Sequence, residues 1–356
     1  MEEASSLCEN AVAPFTIWTS TVKNELLKRE KVAVGKSRVF EQCGLEMTLL
    51  FRKEFGAFLA WFRTHYGFTL HSGIGADKEV VWAEYARVMR RNSPLGFRYD
   101  YANYDGTVMP AGFQFFGDIC DAFYGKEDVA GRNARWALLD VLRHSTHLAG
   151  DCFFESNSGN KSGNPFTDVF NTITNTLCIY LSYLIILQCQ GATPTLSEFE
   201  EQVKFLTYGD DVVGTMRPDI AMKVTGPRVQ SVLGMLGYKV TDAMKNAVME
   251  DHCTFEELCF LKSGWRLDGG VWCAPMEKPN IYKEARYRPK KFEYDESDLQ
   301  LRLQTMQRFM AHHGPEELLL FQNQLRERGI PKEWSNYSYG EFLCDMRMKQ
   351  ETAVLY

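Results

Sequence analysis

The sequence predicts a mixed α+β fold, on three observations. Apolar and β-branched residues flank a turn in Phe205-Leu206-Thr207-Tyr208-Gly209-Asp210-Asp211-Val212-Val213, which reads as two short strands and a tight connection. Apolar residues recur near the helical period over 49–66, with Phe51, Phe55, Phe58, Leu59 and Phe62 on one face. From Glu296 onward Leu299, Leu301, Leu303, Met306 and Met310 recur among many charges, which points to a small helical C-terminal domain.

Composition narrows the function classes. A hydrophobic content of 45% with 24% charged residues is that of a globular protein with a real core. The net charge of −6 argues against wholesale affinity for nucleic acid but leaves room for a local basic channel. Ten cysteines without a Cys-x-x-Cys pair fit reduced thiols better than a disulfide framework or zinc site, and His144-x-x-His147 has no cysteine pair to complete it. The polar, acidic start Met1-Glu2-Glu3-Ala4-Ser5 is not a signal peptide. The run from Leu177 to Leu187 is too short to span a bilayer and reads as buried helix, so no transmembrane segment is expected.

Taken in order, the chain first gathers Lys23, Lys28, Arg29, Lys31, Lys36 and Arg38 against only Glu25 and Glu30. In Lys31-Val32-Ala33-Val34-Gly35-Lys36-Ser37-Arg38-Val39 cations alternate with apolar residues, the pattern of a strand with one charged face that could line a phosphate channel. After the helix over 49–66 and a second at Trp82 to Met89, Phe97-Arg98-Tyr99-Asp100-Tyr101 reads as an aromatic-rich strand. Asp100 lies on that strand and Asp105 beyond its bend, before a helix that starts after Pro110. A polar loop from Ser156 to Gly163 leads to Asn164-Pro165, expected as N-cap and first residue of a helix running to about Gln190. Thr167, Asn171 and Asn175 recur every four residues on it, a polar stripe whose partners could be backbone groups, a ribose or a carboxylate. Beyond the Asp210-Asp211 turn come a helix at Val229 to Leu236, a short strand at Lys239-Val240-Thr241 followed by Lys245, and a hairpin edge from Leu258 to Trp265.

The adjacent carboxylates carry the chemistry. Two like charges roughly 4 Å apart repel by about 4 kcal/mol at an effective dielectric near 20, so a divalent cation is the natural neutraliser. Oxygen-only ligands favour Mg²⁺ or Mn²⁺ over zinc; the alternative is a merely solvated turn.

Together these elements resemble the RNA-dependent RNA polymerases of positive-strand viruses, within the picornavirus-like superfamily, over residues 18–288. The basic ribbon looks like motif F, Asp100 to Asp105 like motif A, and Ser162-Gly163-x₃-Thr167-x₃-Asn171 like motif B. Tyr208-Gly209-Asp210-Asp211 matches motif C, Gly237 to Lys245 resembles motif D, and Phe260-Leu261-Lys262 resembles motif E. Each of the shorter motifs is weak alone; their ordered coincidence is strong.

The resemblance implies a right-hand polymerase with an antiparallel-sheet palm (56–142 and 159–267), partial fingers (1–55 and 143–158) and a helical thumb (268–356). It implies RNA-templated attack of a primer 3′-hydroxyl on the α-phosphate of a nucleoside triphosphate. Asp100 and Asp210 would hold two Mg²⁺ (or Mn²⁺) ions with Asp211 as an accessory carboxylate. Asp105, Ser162, Thr167 and Asn171 would recognise the ribose 2′-hydroxyl, Lys31, Lys36 and Arg38 the triphosphate, and Lys245 would protonate pyrophosphate. The implied partners are RNA template and primer, nucleoside triphosphates and other viral replication proteins, at replication complexes in the host cytoplasm.

Two departures accompany the match. Leu27 stands where relatives often have arginine, and only about twenty residues precede Lys23, where relatives carry a substantial fingers segment. The expectation is an open hand that holds template poorly. The competing readings are a reverse transcriptase, a nucleotidyl cyclase, or an impaired, truncated polymerase acting as an RNA-binding scaffold. The Ser162 to Asn171 pattern speaks against the first two and the full set of carboxylates against the third.

Overall fold

The computed structural model describes residues 1–25, 27, 29–242, 248–286 and 295–353. Among them eleven strands form three sheets. In chain order these are β1 (Ile17–Val22), β2 (Val39–Gln42), β3 (Leu95–Ala102), β4 (Ser145–Ala149), β5 (Cys152–Ser156) and β6 (Val203–Tyr208). The remainder are β7 (Asp211–Met216), β8 (Lys239–Thr241), β9 (Cys253–Thr254), β10 (Arg266–Asp268) and β11 (Val271–Cys273).

The central sheet has the order β6-β7-β3-β8, with β9 pairing the start of β3, and every pairing in it is antiparallel. Side chains alternate across the pleat, so β6 and β7 feed two cores at once. Val203, Phe205 and Val212 pack with the large core built on helices Leu45–Thr64, Pro110–Tyr124, Val129–Arg143 and Thr167–Gln188. Leu206 and Val213 point the other way, into a cluster with Trp82, Phe260 and Trp265. Helix Leu45–Thr64 buries Phe51, Phe55, Phe58 and Phe62, the stripe legible in the sequence; each such side chain contributes about 1.5–3 kcal/mol on burial.

Helix Thr167–Gln188 is buried on nearly all sides along its first half, which explains its continuous apolar composition. It is long and apolar enough to cross a membrane, yet 67% of its most apolar window is buried inside the fold. Helices Glu296–Ala311, Pro315–Glu327 and Tyr339–Ala353 form a third core with Val271, Cys273 and Ile281. A peripheral sheet, β2-β1-β4-β5, lies apart from the central one, with β1 and β4 parallel.

Three expectations are corrected here. The alternating segment Lys31 to Val39 is not a strand: Arg29–Ala33 is a short helix, and pairing begins only at Val39. Gly35, taken as a strand break, is its C-terminal stop: at φ +65°, with Gly35 N–H donating to Val32 O and Lys36 N–H to Lys31 O, it closes a Schellman motif. The long helix begins at Thr167 rather than at Pro165, because the Asn164 side chain accepts from Phe166 N–H and donates to Lys161 O, making a separate turn. The segment Leu258 to Trp265 holds a tight turn bridged between Phe260 and Ser263 but is no edge strand of the central sheet.

Candidate active site

The hairpin β6–β7 closes through a two-residue turn, with Tyr208 paired to Asp211 and Gly209 at φ +61°, where a Cβ would be strained. Helix Thr167–Gln188 grips this turn. Gly209 N–H donates to Thr172 Oγ1 (2.8 Å), and Asn175 Nδ2 donates to the carbonyls of Gly209 (2.9 Å) and Asp210 (3.2 Å). Tyr101 from β3 donates to Asn175 Oδ1 (2.9 Å) and fixes the amide's orientation. On the neighbouring strand Tyr99 pairs with Val212, so one step further along the antiparallel ladder Asp100 comes level with Asp211.

Asp100, Asp210 and Asp211, more than a hundred positions apart in the chain at the extreme, therefore share one electrostatic site. The Asp210 carboxylate reaches solvent, but the wall of protein around it still makes desolvation the largest cause of its raised pKa, followed by the charges of Asp105 and Asp100. Asp211 is pushed up by burial and by Asp210 and Asp100, while Lys262 and Lys78 pull it down.

This repulsion is what a bound divalent cation would relieve, and the donors are all oxygen. No three candidate ligand groups among the described residues stand close enough for a ready-made cage. A Mg²⁺-like ion usually keeps several waters and takes one or two carboxylates plus substrate phosphates, and Asp100, Asp210 and Asp211 are carboxylates of that kind.

Asp105 joins the site by a different route. After β3, Asn103 takes the left-handed conformation (φ +58°) and turns the chain into the short helix Tyr104–Thr107. Asn171 Nδ2 donates to Asp105 Oδ1 (2.5 Å), and Asn160 Nδ2 donates to Asn171 Oδ1 (2.9 Å). Burial raises the Asp105 pKa and Glu41 adds to it, while the Asn171 bond and the Arg38 charge lower it.

Of the four expected ribose contacts, the structure joins Asp105 and Asn171 directly. Thr167 turns its hydroxyl to the carbonyls of Lys161, Ser162 and Asn164 instead, and Ser162 Oγ donates to Glu41 (3.4 Å). Gly163 lies so tightly on the Glu41 carbonyl that no Cβ fits.

Among the expected triphosphate cations, Arg38 acts electrostatically on both Asp105 and Asp210 and pairs with Glu25 (3.5 Å). Lys31 and Lys36 are exposed on the short helix and its terminal turn. Lys245 and Lys28 lie outside the described residues. Sequence reasoning missed Thr172, hidden among buried threonines, and Lys78, whose Nζ donates to Leu261 O (2.6 Å) and Ser263 Oγ (3.1 Å). It also passed over Asn160 and Lys161, whose only signal was membership of the polar glycine-rich loop.

The family model for viral RNA-dependent RNA polymerase matches residues 2–327. The genome polyprotein of Cosavirus A (isolate Human/Pakistan/0553/-) is 29% identical over 263 residues, covering 73% of this chain and 11% of the polyprotein. That of human rhinovirus 16 is 26% identical over 314 residues, covering 86% and 13%. That of human hepatitis A virus genotype IB (isolate MBB) is 25% identical over 354 residues, covering 96% and 15%. The chain thus spans between 11% and 15% of these polyproteins. The solved Sicinivirus 3Dpol RNA dependent RNA polymerase superposes with a TM-score of 0.75 at 18% identity, over 98% of this chain and 70% of that one, a likeness of fold.

Proposed function

This chain belongs to the viral RNA-dependent RNA polymerase family, and from that premise we propose that it extends an RNA strand on an RNA template. In the reaction the primer 3′-oxygen bonds to the α-phosphorus of a nucleoside triphosphate, the bond from that phosphorus to the bridging oxygen breaks, and pyrophosphate leaves. The observation that carries this reading is the convergence of Asp100, Asp210 and Asp211 on one patch of the central sheet.

Asp100 and Asp210 would hold the cations, with Asp211 beside them. A divalent pair, when bound, lowers the pKa of the attacking hydroxyl and offsets charge on the departing phosphates. The chain's own groups do the rest. Asp105, held by Asn171, accepts a hydrogen bond from the ribose 2′-hydroxyl, and Arg38, with Lys31 and Lys36, draws in the triphosphate. Lys245 gives a proton to pyrophosphate, a role resting on its place in the sequence. The central sheet and its helices are the palm (56–142 and 159–267), 268–356 the thumb, and 1–55 with 143–158 the fingers. The last division is supported by a peripheral sheet drawn wholly from those two segments.

Templated incorporation on a homopolymeric RNA with Mg²⁺ or Mn²⁺ tests the reading. Asp210→Asn is expected to lower it at least about 100-fold, beyond the loss typical of an outer-shell change. RNA binding kept alongside unaltered incorporation in that variant would sink the assignment.

A further inference from the structure

We propose that Lys161 is the positioning residue of the ribose pocket: its ammonium clamps the loop 156–161 in the form that holds Asn160 against Asn171, and so sets the Asp105 carboxylate for choosing ribonucleotides. This rests on the ribose-pocket reading above and adds to it a residue outside every motif that carried the family resemblance.

Lys161 is 3% exposed, unusual for a lysine, and its Nζ is spent on the loop itself. It donates to Ser158 O (2.8 Å), Gly159 O (3.1 Å) and Ser156 Oγ (3.4 Å), and Ser156 Oγ donates in turn to Ser158 O (2.9 Å). Among the described residues no carboxylate lies within ion-pair distance of it, so its charge is satisfied by carbonyl dipoles of one loop.

That loop is pressed onto the segment carrying Asp105. Gly159 N–H donates to Val108 O (3.2 Å) and Asn160 N–H to Asp105 O (2.7 Å), and a Cβ on Gly159, at φ +76°, would stand 2.9 Å from the same Asp105 carbonyl. The Asn160 side chain then links the loop to the pocket: it accepts from Asn164 Nδ2 (2.7 Å) and donates to Asn171, whose other end holds Asp105. Lys161 thus touches neither ribose nor phosphate but orders the chain of amides that does.

An ammonium offers three hydrogens, a neutral amine only two with a weaker pull on carbonyls, so the clamp depends on protonation. Burial brings the Lys161 amine down to about 8, against a smaller upward push from Glu41 on β2. The other ionisable group facing it, His147 on β4, is pushed down to about 4 by burial and by the Lys161 charge, so it stays neutral in the working range. Asp105 lies beyond Asn160.

The test is the ratio of kcat/KM for a ribonucleotide over its 2′-deoxy analogue, measured on the full chain from about pH 6.5 to about pH 9.5. Groups acting on the triphosphate cancel in that ratio. In the native chain it is expected to fall about tenfold as pH rises through about 8. In Lys161→Met it should be low and flat, and in Lys161→Arg, which keeps its charge, high and flat. Hydrogen exchange at the Gly159 and Asn160 amides gives a reading without turnover, with protection lost over the same range in the native chain and kept in Lys161→Arg. If Asn171→Ala lowers the ratio while Lys161→Met keeps the native value at every pH, the inference fails and the pocket stands. If Asn171→Ala leaves the ratio intact, the pocket reading itself fails. A native ratio and amide protection that are both flat through pH 8 overturn the inference even if Lys161→Met does not fold.

Discussion

The Asn175 amide donates to the main-chain carbonyl of Gly209 at 2.9 Å, so the longest helix of the central core holds the carboxylate turn from beneath. Asn175 is fully buried, and removing it leaves the carbonyls of Gly209 and Asp210 and the Tyr101 hydroxyl without their partner. An unsatisfied buried group costs about 1–3 kcal/mol. Asn175→Leu is therefore expected to lower the melting temperature and to reduce kcat more than KM, since Asp210 loses its fixed seat. A variant with native kcat would show that the turn holds itself.

How much of this was legible beforehand follows from which constraints are local. The hairpin, its glycine and both carboxylates are written in apolar, β-branched runs around turn chemistry, and the strand of Asp100 in aromatic residues at alternate positions. The bond between Asn171 and Asp105 was foreshadowed by the polar stripe, because a buried amide needs a partner and a carboxylate was among those expected. The segment after Lys28 misled because short cationic alternation fits either period, and a positive-φ glycine stops a helix as readily as it breaks a strand. Thr167 shows the remaining limit: spacing puts it on the face of Asn171, but the hydroxyl bonds to the nearest carbonyls of its own helix start. Lys161 was invisible because its meaning lies in three carbonyl and hydroxyl acceptors that only the folded loop gathers.

A second prediction concerns the junction of the central core with the C-terminal helices. Glu79, 16% exposed, receives both Arg308 Nε and Nη2 at 2.6 Å and Lys349 Nζ at 2.6 Å. His312 Nε2 stands 3.5 Å away, and Arg308 also pairs with Asp345. Ala274 N–H donates to His312 Nδ1, so the ring proton sits on Nε2 and points toward Glu79. Burial pushes the Glu79 carboxyl up, but the bonds from His312, Arg308 and Lys349 outweigh it and hold it well below the usual range. A carboxyl depressed on folding stabilises fully above its unfolded pKa of about 4.3 and loses that stabilisation as pH falls below it. Glu79→Gln is expected to cost about 2–3 kcal/mol at neutral pH, the lower end for a buried pair because its partners are partly solvated. Denaturant titrations should show the native and variant stabilities converging as pH drops below about 4; parallel curves would refute the assignment.

The third concerns Gly163, whose missing Cβ lets the loop after Lys161 lie against the carbonyl of Glu41. The obstacle is backbone on one side and a packed turn on the other, so neither yields cheaply. Gly163→Ala should cost about 1–3 kcal/mol by overpacking and loosen the contact between β2 and the loop. Calorimetry on the purified variant checks this, and an unchanged transition would mean that the two segments slide apart without penalty.

The last prediction links a strained turn to the carboxylates. Leu261 and Lys262 both adopt positive φ (50° and 64°) between Phe260 and Ser263, whose backbone groups exchange hydrogen bonds of 2.9 and 3.0 Å. Non-glycine residues held there store about 1–3 kcal/mol each and persist only where the surroundings over-determine them. Lys78 supplies that constraint, since its ammonium ties Leu261 O to Ser263 Oγ across the turn while its charge reaches Asp211. Burial pulls the Lys78 amine down, with Cys259 and Asp211 opposing, so it is a sequestered charge whose loss the turn will feel. Lys78→Met is therefore expected to lower the melting temperature by several degrees. Because a glycine adopts positive φ without strain, Leu261→Gly should relieve more strain in the native chain, where Lys78 holds the turn, than in Lys78→Met, where the turn is free to relax. Thermal melts of the four proteins decide it: equal effects of Leu261→Gly in both backgrounds would mean that Lys78 does not hold the turn.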